Sequence, residues 1–248
     1  MSSLLFFAPV ANAGECAPSP IKPNEELHLS QKAENITANV RIGSDFIVAD
    51  LSVQHISLVA QTPLWTVQAI SRKKGIYCET SLSEWLRRGS PLNFFRATEI
   101  PQWPLLLKGD TQFLHHKAKI MALPYLDKQH HVVPLKSGSS GHLIVLDEGL
   151  PLNAARIMDT LFQTPKSDLY PLRLFVGWQT HQRRDAKVND VFLFSGGKEG
   201  PQTILDTTQL TVEQRHELPG VAGLRLSKDQ GSLWADASDL DGIQQLMK

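Results

Sequence analysis

Histidine is the residue type in this chain that most readily suggests chemistry. Neutral imidazoles ligate zinc and copper, and histidine also exchanges protons near neutral pH. Several of the nine histidines fall in one stretch, with two carboxylates close in sequence at Asp110 and Asp127. These histidines are His115, His116, His130, His131 and His142. They are the candidate site residues of a secreted hydrolase, which could be metal-dependent.

The spacing of these histidines argues against a ready-made metal site. Neighbouring residues on a strand point to opposite faces of the sheet, so each His-His pair offers only one ligand to any one site. Neither the helical H-E-x-x-H spacing nor a Cys/His zinc pattern occurs in the sequence. The sequence therefore predicts no metal ion and no cofactor, and the catalytic residues of any hydrolase stay unknown.

The Ser-Gly-Ser-Ser-Gly stretch at 137–141 has the composition of a nucleophile or phosphate loop. A nucleophile elbow requires G-x-S-x-G between a strand and a helix, and a phosphate loop requires G-x-x-x-x-G-K before a helix. Here His142 stands where the last elbow glycine should be, and a strand is predicted to follow. A flexible turn explains the stretch better.

The chain begins with a pattern typical of an exported protein. Residues 4–10 form an apolar run too short to span a bilayer, and Ala11-Asn12-Ala13 follows as a small-residue cleavage pattern. The run lacks a preceding basic segment, so the N-terminus could be truncated. We predict a signal peptide over residues 1–13, cleaved after Ala13, with an ordinary apolar N-terminus as the alternative. Residues 14–26 are predicted to be extended and proline-rich.

The two cysteines fit an oxidising compartment. Neither Cys16 nor Cys78 belongs to a C-x-x-C redox motif. A single pair in an exported protein usually forms a disulfide. A Cys16–Cys78 bond would close a loop of about sixty residues and stabilise the protein by about 4 kcal/mol on the chain-entropy model. We therefore predict this disulfide.

The overall composition is that of a globular protein without a strong electrostatic field. The 248 residues include 25 Lys and Arg and 25 Asp and Glu, so the formal net charge is zero. Nucleic-acid binding is therefore not predicted, and no stretch is long and apolar enough for a transmembrane helix. We predict one globular domain over residues 27–248, with two lobes divided near residues 137–141 as the alternative.

The stretch 141–178 is the part of the sequence that most clearly predicts a core. Its pattern indicates a strand, a helix begun by Pro151 and a second strand. The continuous apolar run 143–146 predicts that the first strand is buried on both faces. The two strands are expected to lie parallel, connected by the helix as a crossover.

The helix in this stretch has distinct apolar and polar faces. Leu161 lies on the apolar face and is expected to be deeply buried, together with Ile144 of the preceding strand. Arg156 and Gln163 lie on the opposite face and should be exposed. The contrast between these positions defines how the helix is turned toward the sheet.

Shorter patterns predict the remaining elements. Ser81 followed by Glu84 is a capping box and predicts a short helix. Residues 46–59 fit a strand and a helix equally well. Further predicted elements include a strand over 36–42, a hairpin over 64–71 and 75–80, and a short helix over 211–218. The predicted fold class is α+β: a strand-rich mixed sheet with a βαβ-like crossover unit near 141–178 and a few short helices.

These patterns predict an exported, soluble envelope or secreted protein, periplasmic or extracellular, that acts as a non-catalytic binding or assembly module. Its partner would be another envelope or secreted protein, and no ligand is predicted. The rival is the hydrolase. Convergence of the candidate histidines with a carboxylate in one pocket would favour the hydrolase, and their dispersal would favour the binding module.

Overall fold

One large sheet dominates the protein. The computed structural model describes residues 21–33, 36–89, 105–123, 125–126, 132–133, 141–176, 202–229 and 233–234. Twelve strands form a single sheet in the order β14-β6-β5-β4-β3-β2-β1-β13-β12-β11-β8-β7, and β9 and β10 form a separate pair. Neighbouring strands are antiparallel throughout, except that β14 runs parallel to β6. The described part of the chain is therefore mainly strand, with two helices.

The strands and helices have the following bounds. The strands are β1 (Glu25–Ala33), β2 (Ile36–Ile42), β3 (Phe46–Leu51), β4 (Ile56–Gln61), β5 (Val67–Ser71), β6 (Ile76–Thr80), β7 (Leu106–Phe113), β8 (His116–Ala122), β9 (Tyr125–Leu126), β10 (Val132–Val133), β11 (His142–Leu146), β12 (Tyr170–Val176), β13 (Gln202–Gln214) and β14 (Arg225–Leu226). The helices are α1 (Leu82–Arg88) and α2 (Leu152–Phe162).

The first six strands form a continuous antiparallel meander. The predicted strand over 36–42 is confirmed as β2, in which Ala38 and Val40 are buried while Thr37 and Asn39 are exposed. The ambiguous stretch 46–59 is a strand, a turn and a strand, β3 and β4. The predicted hairpin is confirmed as β5 and β6.

The predicted capping box begins α1. The side-chain oxygen of Ser81 accepts a hydrogen bond from the backbone N–H of Glu84 at 3.3 Å. Trp85 is the buried residue of this short helix, and its indole N–H donates to the carbonyl of Ile157 in α2. The two helices therefore lie on the same face of the sheet, which we call the inner face.

The predicted α+β fold with a parallel crossover is wrong. β11 and β12 are adjacent and antiparallel, and the end of β11 at Leu146 pairs with the start of β12 at Tyr170. The chain thus leaves the sheet, forms α2 and returns at the same end of the sheet. Gln163 ends α2 in the left-handed conformation, with φ 55° and ψ 42°, and this reverses the chain direction. Helical periodicity carries no information about where the chain re-enters the sheet.

The burial predicted for the stretch 141–178 is confirmed only in part. Leu161 is fully buried, as expected. Ile144 is only partly buried, because burial alternates along β11 from His142 to Val145 and the strand is not enclosed on both sides. Gln163, expected to be exposed, is buried at the end of α2. Arg156 is partly exposed and forms an ion pair with Asp168.

The sheet curves around α2. Ile157 and Met158 of the helix face apolar side chains of β3, β4 and β5, including Ile47 and Leu58. The same helix also packs on β12, which is five strands from β4, a span of about 24 Å at ordinary strand spacing. A helix with its side chains is only about 10 Å wide, so the sheet must bend to touch it on both sides. The main core lies inside this curve.

A non-helical segment covers part of the outer face. The helix predicted over residues 211–218 is wrong: residues 211–214 end β13, and residues 215–224 cross the outer face to reach β14 beside β6. We call residues 215–224 the strap. Its apolar side chains pack against outer-face residues to form a second, smaller core, which contains Phe46, Val48, Val59 and Ile70 with Leu218, Val221 and Leu224.

Neither of the described helices could cross a membrane, because both are too short. The predicted lobe boundary near 137–141 falls mainly outside the described residues and stays a prediction.

Candidate metal-binding site

Two parts of the chain meet above the outer face of β1. Glu26 and His28 are two residues apart on β1, so their side chains leave the same face of the sheet. β13 runs beside β1, with Glu213 directly opposite Glu26. The strap begins just beyond the end of β13 and places His216 over Glu26. Strand pairing thus brings together residues from opposite ends of the described chain.

Both imidazoles contact the same carboxylate oxygen. His28 Nε2 lies 2.7 Å and His216 Nδ1 lies 2.8 Å from Oε1 of Glu26. Ligand atoms of the three side chains all lie within 4.8 Å of one another. A tetrahedral site with bonds of about 2.1 Å places its ligands about 3.4 Å apart. Small side-chain rotations would therefore bring all three onto one ion.

The carboxylate at the centre of this cluster is buried and only half satisfied. The side chain of Glu26 is 0% exposed, and its Oε2 has no hydrogen-bond partner among the described residues. Burial alone would raise the pKa of Glu26, but hydrogen bonds from His216 and His28 and the charge of Arg41 outweigh burial and lower the pKa. The charged form is therefore favoured, and one of its oxygens can still accept a cation.

The surroundings of His28 resemble those of a metal ligand. Its Nδ1 faces Oε2 of Glu213 at 3.7 Å, on the side of the ring away from Glu26. Histidines that ligate metals usually present their other ring nitrogen to a carboxylate or carbonyl, which fixes the ring and makes the ligand nitrogen more basic. Glu213 can serve this orienting role.

Arg41 opposes cation binding at this site. It lies opposite His28 on β2, and its Nη1 is 3.4 Å from Oε1 of Glu26. Its positive charge weakens the attraction of the carboxylate for another cation. The contact is long and is made to Oε1, the oxygen that both imidazoles also contact. Oε2 therefore remains able to bind a cation.

The site is open to solvent on the strap side. The side chain of His216 is 58% exposed and that of His28 is 24% exposed. An ion could therefore reach the buried carboxylate between the two rings without disturbing the sheet.

Within the described ranges, the structure does not bring the sequence-predicted histidines together. His116 and His142 lie at opposite ends of the paired strands β8 and β11, about 20 Å apart at ordinary strand rise. His116 Nδ1 lies 2.9 Å from Glu148 Oε1. His142 stacks on Phe175, and burial, helped by the charges of Lys108 and Arg173, lowers its pKa.

Only some of the other predicted site residues lie within the part of the chain that the structure describes. His115 is exposed at the tip of the β7–β8 hairpin with φ 70°, and Asp110 is exposed on β7. His130, His131 and Asp127 lie outside the described residues. Cys78 is a buried thiol on β6, and burial raises its pKa. Cys16 also lies outside the described residues, so the Cys16–Cys78 disulfide stays a prediction.

Sequence reasoning missed the Glu26 cluster. The period-two spacing of Glu26 and His28 on a strand was the available signal, because it places a carboxylate and an imidazole on one face. His216 could not be added to them, since it is 190 residues away from Glu26 in sequence and joins through the pairing of β1 with β13.

Comparisons with known proteins add little to this geometry. No family model matches the chain, and no curated protein matches it. Among solved structures, it is similar to the crystal structure of an uncharacterized conserved protein from Thermus thermophilus. That similarity covers 83% of this chain and 90% of the other at 10% identity, with a TM-score of 0.39. It carries no argument about function.

Proposed function

We propose that this protein is an exported, non-catalytic binding module that holds a divalent transition-metal ion at Glu26, His28 and His216. One observation carries this proposal: two imidazoles converge on a buried carboxylate whose Oε2 has no partner among the described residues. An unsatisfied buried carboxylate oxygen is costly, and a bound cation removes that cost. Imidazole nitrogens are ligands that suit zinc, nickel and copper, and zinc also accepts a carboxylate oxygen.

The placement of the other histidines supports binding over hydrolysis. The hydrolase alternative needs His115 or His116 near His142, whereas His115 lies at the tip of the β7–β8 hairpin and His116 and His142 lie at opposite ends of their strands. The Glu26 site lies instead on the outer face of the sheet, next to the strap.

Removal of one proposed ligand should abolish tight metal binding. In titration calorimetry with zinc chloride, the wild-type protein is expected to bind one ion per chain. His28→Ala should weaken binding by at least about 100-fold, because losing even an orienting residue around a metal costs about 10- to 100-fold. Glu213→Gln should weaken zinc binding by about 10- to 100-fold, since Glu213 orients His28 without ligating the ion.

The matched control is His115→Asn. This variant also removes a histidine, but from an exposed hairpin tip, and asparagine tolerates the positive φ found there. It should bind zinc like the wild type. Equal losses in His115→Asn and His28→Ala, or no binding by the wild type, would overturn the proposal.

Export and an envelope partner are part of the same proposal. They are supported by the apolar run at 4–10 and the Ala11-Asn12-Ala13 pattern. Mass spectrometry of the protein from its native host should find Gly14 as the N-terminus. Under denaturing, non-reducing conditions, Cys16 and Cys78 should resist thiol labelling unless a reductant is added. An intact Met1 with two reactive thiols would contradict export and the disulfide together.

A further inference from the structure

We infer that the ion bound at the Glu26 site fastens the strap to the sheet and so controls how often the strap opens. This inference rests on the proposed metal binding. Glu26 and His28 belong to β1, whereas His216 belongs to the strap. An ion held by all three side chains therefore links two separately moving parts of the chain.

The apolar contacts of the strap alone are modest. Leu218, Val221 and Leu224 pack on the outer face but are only partly buried. Partial burial of a few aliphatic side chains gives a small fraction of the stabilisation that the enclosed inner core provides. The strap is therefore held less firmly than the strands beneath it.

The polar contacts of the strap are concentrated at its ends. The N–H of Arg215 donates to the carbonyl of Asn24 at 2.9 Å, and beyond the strap the N–H of Arg225 donates to the carbonyl of Gly75 at 3.0 Å. The guanidinium of Arg215 also pairs with both carboxylate oxygens of Asp45, at 2.9 and 3.2 Å, in a partly exposed ion pair.

Between these ends, apart from the 2.8 Å contact of His216 with Glu26, the polar contacts of the strap with the sheet are long and exposed. Arg41 donates to the carbonyl of Glu217 at 3.5 Å, and Arg72 donates to the carbonyl of Gly220 at 3.3 Å. Exposed bonds of this length contribute little to stability. Segments with few buried contacts open locally well before the whole protein unfolds.

Metal binding should suppress this opening. Opening removes His216 from the site and leaves the ion with two ligands, so the closed state binds the ion more tightly. If the open state binds zinc at least about 100-fold more weakly, zinc at about one hundred times its dissociation constant makes opening about 50- to 100-fold rarer. The coupling is reciprocal, so a variant whose strap is open most of the time must bind zinc more weakly, in proportion to the closed fraction that it has lost.

Hydrogen–deuterium exchange with and without zinc chloride tests this inference. Zinc should slow exchange in peptides covering residues 215–224 by up to about 100-fold, while peptides from the inner helix α2 keep their rates. In His216→Ala, adding zinc should not change the exchange rate of the strap.

A second measurement tests the reciprocal effect without touching a ligand. The double variant Val221→Ala/Leu224→Ala removes strap contacts to the outer face. It should weaken zinc affinity by about tenfold, because the ion must then close a strap that is mostly open. The control Ala222→Ser changes an exposed strap residue and should bind zinc like the wild type.

The outcomes separate the two proposals. If calorimetry shows zinc binding that depends on His28 but strap exchange is unchanged by zinc, the coupling is wrong and the proposed function stands. Unaltered zinc affinity in Val221→Ala/Leu224→Ala, together with exchange showing that the strap is mostly open, would also overturn the coupling. If zinc does not bind at all, both proposals fail.

Discussion

Asp159→Asn is expected to make the protein more stable than the wild type at neutral and alkaline pH. Asp159 lies on α2 with its side chain buried, and burial raises its pKa to about 8, although a hydrogen bond from Thr164 opposes the shift. Its Oδ2 has no hydrogen-bond partner among the described residues. The folded protein therefore keeps this carboxyl protonated under conditions in which the unfolded chain ionises it.

The sign of the pH effect follows from proton binding. Between the unfolded pKa of 3.8 and the folded pKa of about 8, the folded state binds more protons at Asp159 than the unfolded state does. Stability from this group is thus complete below the unfolded pKa and falls as pH rises, by about 1.4 kcal/mol per pH unit. Asparagine does not titrate, so it should gain on the order of 4 kcal/mol over the wild type between about pH 4 and about pH 7.

Urea unfolding at a series of pH values measures this difference. Asparagine keeps an oxygen that can accept the Thr164 hydroxyl and has a size similar to that of the acid, so the two proteins should converge near pH 4. Asp110→Asn is the control, because Asp110 is exposed on β7 and its replacement should show no such pH trend. A constant offset between Asp159→Asn and the wild type at every pH would contradict a buried, protonated carboxyl.

Leu161→Ala is expected to destabilise the protein by about 2–5 kcal/mol, through lost burial and the cavity left behind. Leu161 is 0% exposed in the core between α2 and the curved sheet. Leu152→Ala is a control within the same helix, because Leu152 is 42% exposed near its start. It should change stability by no more than about 0.5 kcal/mol.

The same urea experiment, at one pH, compares these two leucine variants. Similar small losses at both positions would mean that α2 does not fill the inner face of the sheet. A larger loss at Leu152 than at Leu161 would mean that the helix is rotated about its axis.

Local patterns in the sequence were sufficient for much of the secondary structure. Alternation over 36–42 predicts β2, the Ser81–Glu84 pair predicts the start of α1, and the apolar face that contains Leu161 predicts α2. Each of these signals depends on residues within a few positions of one another. The same signals cannot distinguish a parallel crossover from an antiparallel return, because that depends on which end of β11 the chain meets after α2.

The strap and the candidate site depend on long-range contacts. Residues 211–218 begin as the last part of β13 and continue as the first part of the strap, because the outer face of β3–β5 offers an apolar surface to cover. Gln163 is buried because it reverses the chain at the end of α2, a tertiary role that its polarity does not reveal. The Glu26 cluster requires β13 to be placed beside β1, which local spacing cannot predict.

The place of β13 in the sheet also has a consequence for biosynthesis. Strands β1 to β6 pair with their sequence neighbours and can form as the chain emerges, since such local pairings close short loops. In the part of the chain that the structure describes, one edge of β1 is covered by β13, which is made long after β1. Until then, a nine-residue strand containing Leu27 and Leu29 presents unpaired backbone groups. Newly made chains are therefore most open to mispairing and aggregation during this interval, at the strand that later carries Glu26 and His28.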